Sequence, residues 1–457
     1  MPRTRPFCWL ALLLSVASCS SERSEIAGVA ALGHPLILPE HYAHSIAALG
    51  MPGARRAFQV GHGSVVGNGD AALEWRIASA EGPVRTSPVY FETDGVPVAH
   101  WWMVSARESV HFEAAAVPHA ALGDSGLMLS VRATATWLAE APGECALEVR
   151  VRARADAPAN IPWDAEDTDT YEEQWRDRFA LRNGRLVAGV DPSLARVPAD
   201  PRARLMAPTR GPGPGVLAAT GIATLSRGKQ HQWHYWMPVY PATAAGKGLE
   251  RIARHDRVVA EARATWREWL AKGSSLATPD SLVNAAWRAA LVTLLVCQER
   301  DRGEWMPIGN PFQYRDVWLR DGARAVRALA VAGYTDMARS DAWTLTRFQL
   351  PSGVLLSQQG QLDGTGQALW ALAQAATLPP SPEWAARTLP VVRRALDWLE
   401  TQRLLTRQLA IRYPGLLPYG DPRDNELTRA QLVGNDTWGI AGSTSSGSRP
   451  VDAIASP

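Results

Sequence analysis

Positive charge is scarce and scattered in this 457-residue chain. Lysine and arginine together number 47 against 45 acidic residues, for a formal net charge of +2, and only three of the basic residues are lysines. The longest basic runs are the pairs Arg55-Arg56 and Arg393-Arg394. Nucleic-acid binders concentrate positive charge on one surface, so we expect no nucleic-acid partner. Hydrophobic residues make up 46% of the chain, which is enough for large cores and excludes a disordered protein.

Histidine is absent from the C-terminal part of the chain. All ten histidines precede residue 256, so a serine–histidine–carboxylate triad cannot form within that part. No glycine-rich phosphate loop follows a strand pattern, which argues against nucleotide chemistry. The pairs His231 with His234 and His41 with His44 lack neighbouring cysteines or dense carboxylates. We therefore expect no metal and no other cofactor.

Cysteine is also rare. Only Cys145 and Cys297 lie outside the first 19 residues. Domains of this size do not depend on disulfides, so we favour two buried thiols. A disulfide between them is the alternative if the compartment is oxidising.

Long apolar runs are missing except at the N-terminus. The run over residues 7–16 follows two arginines and is too short to span a bilayer. It ends in Val16-Ala17-Ser18-Cys19, which resembles the lipobox of bacterial lipoproteins. The resemblance implies a signal peptide over 1–18, an acylated Cys19 and a tether over 19–33, and Ser20 favours outer-membrane sorting. We predict an exported, lipid-anchored protein of the cell envelope whose only contact with the membrane is that anchor, with an ordinary signal peptide as the alternative.

Two segments of different hydrophobic period divide the rest of the chain. Residues 34–248 have the pattern of short strands, including a hairpin signal at Asn183-Gly184, and predict a β-sandwich. From residue 249 the period is helical. We predict a linker helix over 249–279, a strand-free helical domain over 280–442 and a disordered tail over 443–457. The predicted helices of this domain cover residues 282–299, 316–333, 336–348, 362–377 and 383–406.

Three polar clusters lie in the connections of the helical segment. They contain these candidate site residues: Trp318, Arg320 and Asp321; Gln361 and Asp363; Asp424 and Glu426. A flat aromatic ring, an arginine fork and a carboxylate suit a polyhydroxylated ring, whose edges are polar and whose C–H faces are apolar. Taken singly, each also has a plain structural explanation: a surface ion pair between Asp316 and Arg320, an N-cap at Asp363, and solvated loop charge.

Together the clusters resemble the six-hairpin (α/α)6-toroid glycosidases, especially the glucoamylase-like group (similar to glycoside hydrolase family 15). Trp318-Leu319-Arg320-Asp321 is similar to the family's W-x-R-D segment, whose Arg and Asp hold the sugar. Gln361-Leu362-Asp363 is similar to its Q-x-D segment, and Asp424-Asn425-Glu426 is similar in position to the segment of its general acid. The family's N-terminal β-supersandwich, linker helix and toroid follow the same order as the segments predicted here.

The resemblance implies an inverting glycoside hydrolase acting on α-linked glucosaccharides, and hence an oligosaccharide or polysaccharide partner. Glu426 would be the general acid, with a pKa raised by burial and by a neighbour such as Asp424, and a second carboxylate about 6.5–9.5 Å away would activate water. The other residues of the three clusters would bind substrate.

One departure from the family concerns length. Residues 280–442 predict five helices and part of a sixth, about half of the family's twelve, and the late loop that carries the general base is not matched. We therefore expect the chain as given to be a truncated and inactive form. The alternatives are a sugar phosphorylase of the same architecture and a non-catalytic, carbohydrate-binding surface lipoprotein.

Overall fold

The computed structural model describes these ranges: 47–61, 64–68, 71–92, 94–119, 122, 126–153, 173–197, 217–243, 254–311, 315–379, 381–409, 411–421 and 429–447. The predicted signal peptide, Cys19 and the tether lie outside these ranges, as do Asp424, Glu426 and residues 448–457. Within the described ranges, no helix combines the length and apolar character needed to cross a membrane.

The N-terminal part consists of strands. In chain order they are β1 (Ala47–Leu49), β2 (Phe58–Gly61), β3 (Val65–Gly67), β4 (Ala71–Ile77), β5 (Arg85–Thr86), β6 (Tyr90–Phe91), β7 (Ala99–Val104), β8 (Glu108–Pro118), β9 (Leu127–Trp137), β10 (Gly143–Ala153), β11 (Glu173–Arg176), β12 (Phe179–Arg182), β13 (Arg185–Val190), β14 (Ala195–Val197), β15 (Leu217–Leu225), β16 (Gln230–Pro238) and β17 (Ala242–Thr243). One sheet has the order β1-β2-β3-β4-β10-β15-β14. The other has the order β11-β12-β13-β16-β9-β8-β7-β5, with β6 beside β7 and β17 beside β13.

An aromatic cluster joins the two sheets face to face. Trp75 on β4 of the first sheet packs against three rings of the second sheet, with centroid distances of 5.3 Å to Phe112, 5.4 Å to Tyr235 and 6.0 Å to Trp101. All four side chains are almost completely buried. The predicted β-sandwich is therefore confirmed, and the hairpin at Asn183-Gly184 is present, with φ of 49° and 72° at the two turn residues.

Both cysteines among the described residues, Cys145 and Cys297, are free thiols. Cys145 is buried in β10, and burial raises its pKa to about 12. Burial likewise raises the pKa of Cys297 to about 11. Neither thiol is therefore a reactive thiolate near neutral pH.

The C-terminal part is mainly helical. The α-helices of the described residues are α1 (His255–Ala271), α2 (Ser281–Val296), α3 (Leu319–Val331), α4 (Thr335–Leu345), α5 (Asp363–Ala376), α6 (Pro382–Gln408) and α7 (Val433–Gly447). Two of them have side-chain N-caps: Asp280 accepts from Leu282 N at 2.8 Å, and Ser381 accepts from Trp384 N at 3.2 Å. The predicted helices lie within a few residues of those observed.

The linker helix α1 is fastened to the second sheet by polar contacts. His255 at its first position is 3.0 Å from the Glu113 carboxylate through Nε2, and 2.9 Å from the Ser130 hydroxyl through Nδ1. About two turns further along the helix, Arg263 donates to Glu92 at 2.9 Å. These contacts fix the helical part against the sandwich.

The expectation of a strand-free helical domain was wrong. Helix α2 ends at Val296, and the chain then forms an antiparallel hairpin of β18 (Gln298–Asp301) and β19 (Glu304–Pro307). The turn between them places Arg302 and Gly303 at φ of 51° and 84°. A glycine in this conformation favours a tight hairpin turn over continuation of the helix.

The predicted start of the disordered tail was also wrong. Helix α7 continues to Gly447, so residues 443–447 are helical. The Ser443 hydroxyl donates to the carbonyl of Gly439 at 2.8 Å, and Gly442 packs closely against Gly366 of α5. Packing therefore overrides a local composition that alone favours disorder.

Candidate functional site

Three helices, α3, α5 and α7, pack side by side with their N-termini at the same end. At the start of α3 and α5, Arg320 and Asp363 are in contact. Along α5 and α7, Gly366 lies against Trp438, and the Ser446 hydroxyl one to two turns further on reaches Leu369 O at 3.4 Å. Contacts that advance together along both chains require parallel helices. The first turns of the three helices therefore gather at one end, which we call the front end.

The central contact of the front end is an ion pair between two of the predicted site motifs. Arg320 Nη2 lies 3.2 Å from Asp363 Oδ2, and Gln367 Nε2 donates to the same oxygen at 2.7 Å. The Asp363 side chain is 12% exposed, whereas that of Arg320 is 46% exposed. The carboxylate is thus fixed by the protein, and part of the guanidinium faces solvent.

Trp318 directly precedes α3. Its side chain is half-buried, and its indole Nε1 is buried without a hydrogen-bond partner among the described residues. The loop that precedes α5 holds the next residue in place, because Leu319 N donates to the Ser357 hydroxyl at 3.3 Å. Asp321, in the first turn of α3, is exposed. Trp318, Arg320 and Asp321 therefore share the front end, but only Arg320 contacts Asp363.

The loop before α5 packs on the loop that leads to the predicted acid. Gln361 is largely buried, and its neighbour Gly360 lies against the backbone of Asp421, where a side chain would overlap it. Gly420 and Ala430 form a two-bond bridge, with N–O distances of 2.8 and 3.1 Å. This bridge holds together the two ends of the segment that contains Asp424 and Glu426, both outside the described residues.

Sequence analysis assigned no role to two polar side chains at the start of α7. Asn435 is buried, and its Nδ2 has no hydrogen-bond partner in the described part of the chain. Asp436 accepts from Leu417 N at 3.0 Å through Oδ1, while its buried Oδ2 also lacks a partner there. The sequence feature that could have indicated them is the Asn435-Asp436 pair in the first turn of α7, after a long polar connection. These atoms add hydrogen-bonding capacity to the front end.

A buried ion pair, also missed from sequence, fixes the segment that enters α3. Arg315 donates to both oxygens of Glu299 on β18, at 2.8 and 3.1 Å, and the Glu299 side chain is 3% exposed. Burial raises the pKa of Glu299, and the hydrogen bonds from Arg315 oppose that shift. The same hairpin is tied to the sandwich, because Gly53 N donates to Gln298 O at 2.6 Å. Glu299 and Arg315 thus connect the sandwich to the segment that carries Trp318.

Comparison with known proteins gives three structural neighbours of interest, while no family model and no curated protein matches the chain. A kojibiose phosphorylase from the human microbiome shares 8% identity at a TM-score of 0.44, over 79% of this chain and 53% of that one. An inverting mannosidase of family GH92 from Bacteroides thetaiotaomicron shares 8% identity at a TM-score of 0.31, over 82% and 54%. Another GH92 glycosyl hydrolase shares 12% identity at a TM-score of 0.25, over 78% of this chain and 55% of that one.

The chain spans about half the length of these solved structures. All three TM-scores lie below 0.5, so we infer function from the residues of the front end alone.

Proposed function

We propose that the front end is the sugar-binding end of an inverting glycoside hydrolase that acts on α-linked glucosaccharides, similar to the glucoamylase-like group. The contact between Arg320 and Asp363 carries the proposal. Two motifs far apart in sequence, each similar to a sugar-holding segment, meet there at 3.2 Å. A surface ion pair alone would not require a largely buried carboxylate.

The chemistry of this pair suits a sugar. An ionised carboxylate offers about four lone-pair sites, and the two contacts from Arg320 and Gln367 both go to one oxygen of Asp363. The remaining capacity accepts sugar hydroxyls. The exposed part of Arg320 donates to hydroxyl or ring oxygens, and Trp318 supplies a flat apolar face and an N–H donor.

We assign the general acid to Glu426 and a supporting role to Asp424. The Gly420–Ala430 bridge supports this assignment, because it fixes both ends of their segment beside Gly360, three residues before Asp363. A protonated Glu426 would donate to the glycosidic oxygen as the bond to the anomeric carbon breaks, and water would attack from the opposite face.

Sugar binding is tested by calorimetric titration of the 457-residue chain with maltotriose. Asp363→Asn should weaken binding by about tenfold or more, because it removes charge-assisted hydrogen bonds. The control is Asp397→Asn, which makes the same change at an exposed position on α6 and should leave affinity unchanged. Equal affinities for all three proteins would contradict the proposal.

The acid assignment is tested by turnover. In a longer version of the protein that also supplies the general base, Glu426→Gln should slow maltotriose hydrolysis by about 10²–10⁴-fold. It should affect α-glucosyl fluoride much less, because fluoride leaves without protonation. Equal losses on both substrates would remove Glu426 from this role. Turnover that requires inorganic phosphate would identify the phosphorylase instead, and binding without turnover would leave only the sugar-binding part of the proposal.

A further inference from the structure

A polar cavity lies at the end of the helical domain opposite the front end. It has a volume of about 330 Å³ and is bounded by the β18–β19 turn, the first half of α4 and the start of α6. Helix α4 begins just after α3 ends, and α6 begins just after α5 ends. With a rise of 1.5 Å per residue, α3 and α5 therefore separate this cavity from the front end by roughly 20 Å. We call it the rear cavity; its walls include Glu304, Asp336, Arg339, Ser340, Glu383, Trp384 and Arg387.

Three wall residues hold hydrogen-bonding atoms that the protein leaves unsatisfied. Trp384 is 92% buried, and its Nε1 has no partner in the described residues. Glu304 Oε2 and Arg339 Nε, on side chains that are partly exposed, are also buried atoms without a partner there. A buried donor or acceptor without a partner costs about 1–3 kcal/mol. These three atoms are buried, and the residues that carry them all line this one cavity, which supports a ligand site there.

The mixed charges of the cavity wall disfavour a charged ligand. Three carboxylates, from Glu304, Asp336 and Glu383, stand against the guanidinium groups of Arg339 and Arg387. An anion would meet the carboxylates. The described residues include no cluster of three or more ligating side chains suited to a metal ion. A neutral ligand with both donors and acceptors remains.

The two arginines are partly held in place. Arg387 lies over the Trp343 ring at 3.8 Å and reaches Glu304 Oε1 at 3.4 Å, and Arg339 donates to Pro379 O at 2.5 Å. Side chains held in this way lose little conformational entropy when a ligand binds. The volume is at the small end of the range of roughly 300–1,000 Å³ typical of ligand sites.

We propose that the rear cavity is a second carbohydrate-binding site that holds one ring of a neutral saccharide. Its carboxylates accept from hydroxyl groups, and its arginines and Ser340 donate. The small exposed part of Trp384 contributes apolar surface. The inference of a site depends only on the residues that line the rear cavity. The choice of maltose as probe rests on the proposed function.

The test uses the Asp363→Asn protein, in which sugar binding at the front end is weakened. Saturation-transfer NMR and calorimetry should still detect maltose binding. Adding Glu304→Gln or Trp384→Phe should each weaken that binding by about fivefold, the effect of one lost hydrogen bond. Glu400→Gln makes the same change as Glu304→Gln at an exposed position on α6, and should have no effect. Far-UV circular dichroism confirms that each variant is folded.

The outcomes separate the two sites. Binding lost completely with Asp363→Asn would overturn the rear site and leave the front site intact. Binding that persists in the Asp363→Asn protein and falls with either rear variant supports the rear site, even if the front site fails. Binding that neither rear variant weakens, or displacement of maltose by inorganic phosphate, would overturn the inference.

Discussion

The pH dependence of stability provides a test of how the buried Asp341 of α4 packs against the β18–β19 hairpin. Its side chain is completely buried on α4, and the end of the Gln298 side-chain amide lies 2.9 and 3.0 Å from its two oxygens. Burial raises the pKa of Asp341 well above its ordinary value, although hydrogen bonding with Gln298 opposes the shift. The folded state therefore keeps the Asp341 proton at a pH where the unfolded chain has lost it.

The sign of the effect on stability follows from this difference in proton binding. The stabilisation from the bound proton is fully present below the pKa of the unfolded aspartate, about 3.9. It is lost as pH rises towards the folded pKa. Each pH unit in that interval costs the native state about 1.4 kcal/mol. Asp341→Asn preserves the shape and cannot ionise, so it removes this term.

Denaturant unfolding of both proteins, followed by far-UV circular dichroism, measures the effect. As pH rises above about 4, wild type should lose stability steadily relative to Asp341→Asn, because its folded state holds a proton that the unfolded chain releases. Asp397→Asn, at an exposed position on α6, controls for loss of a carboxylate and should track wild type. Parallel pH profiles for wild type and Asp341→Asn would show that Asp341 is ionised in the folded protein and would refute the reasoning.

Three further predictions concern other parts of the chain. Arg315→Ala leaves the buried Glu299 carboxylate without its bidentate partner, and should lower the unfolding free energy measured by denaturation by about 2–4 kcal/mol. A loss of less than about 1 kcal/mol, the size expected for a surface ion pair, would contradict the burial argument. Gly442→Ala places a methyl group against α5 and should destabilise by about 1–3 kcal/mol, whereas Gly434→Ala on the same helix meets no described atom within 4 Å and should be neutral or slightly stabilising. Cys19→Ala should leave an unprocessed precursor without lipid labelling, and normal processing of that variant would rule out the predicted anchor.

The sequence predicted the parts of the front end that depend on local pattern. Arg320 and Asp363 each open an amphipathic helix, so their place at helix N-termini could be inferred, and resemblance alone suggested that they meet. The pair Glu299 and Arg315 could not be inferred, because a polar run after α2 continues a helical pattern until Gly303 interrupts it. The hairpin's position also depends on Gly53, which belongs to the other domain.

Two other features depend on tertiary packing rather than on local sequence. The serine- and glycine-rich end of α7 has the composition of a flexible tail, yet close contact between Gly442 and Gly366 makes helix favourable there. The rear cavity arises where the starts of two helices meet a hairpin turn, so Glu304, Arg339 and Trp384 show no common motif. Such convergence becomes visible only in three dimensions.

The most direct test of the proposed site is a crystal structure of the 457-residue chain soaked with maltotriose. We expect a sugar ring at the front end, with hydroxyl oxygens within hydrogen-bonding distance of Asp363 and Arg320 and one ring face towards Trp318. A structure with saccharide bound elsewhere and none at Asp363, at concentrations where calorimetry shows saturation, would contradict the proposed site.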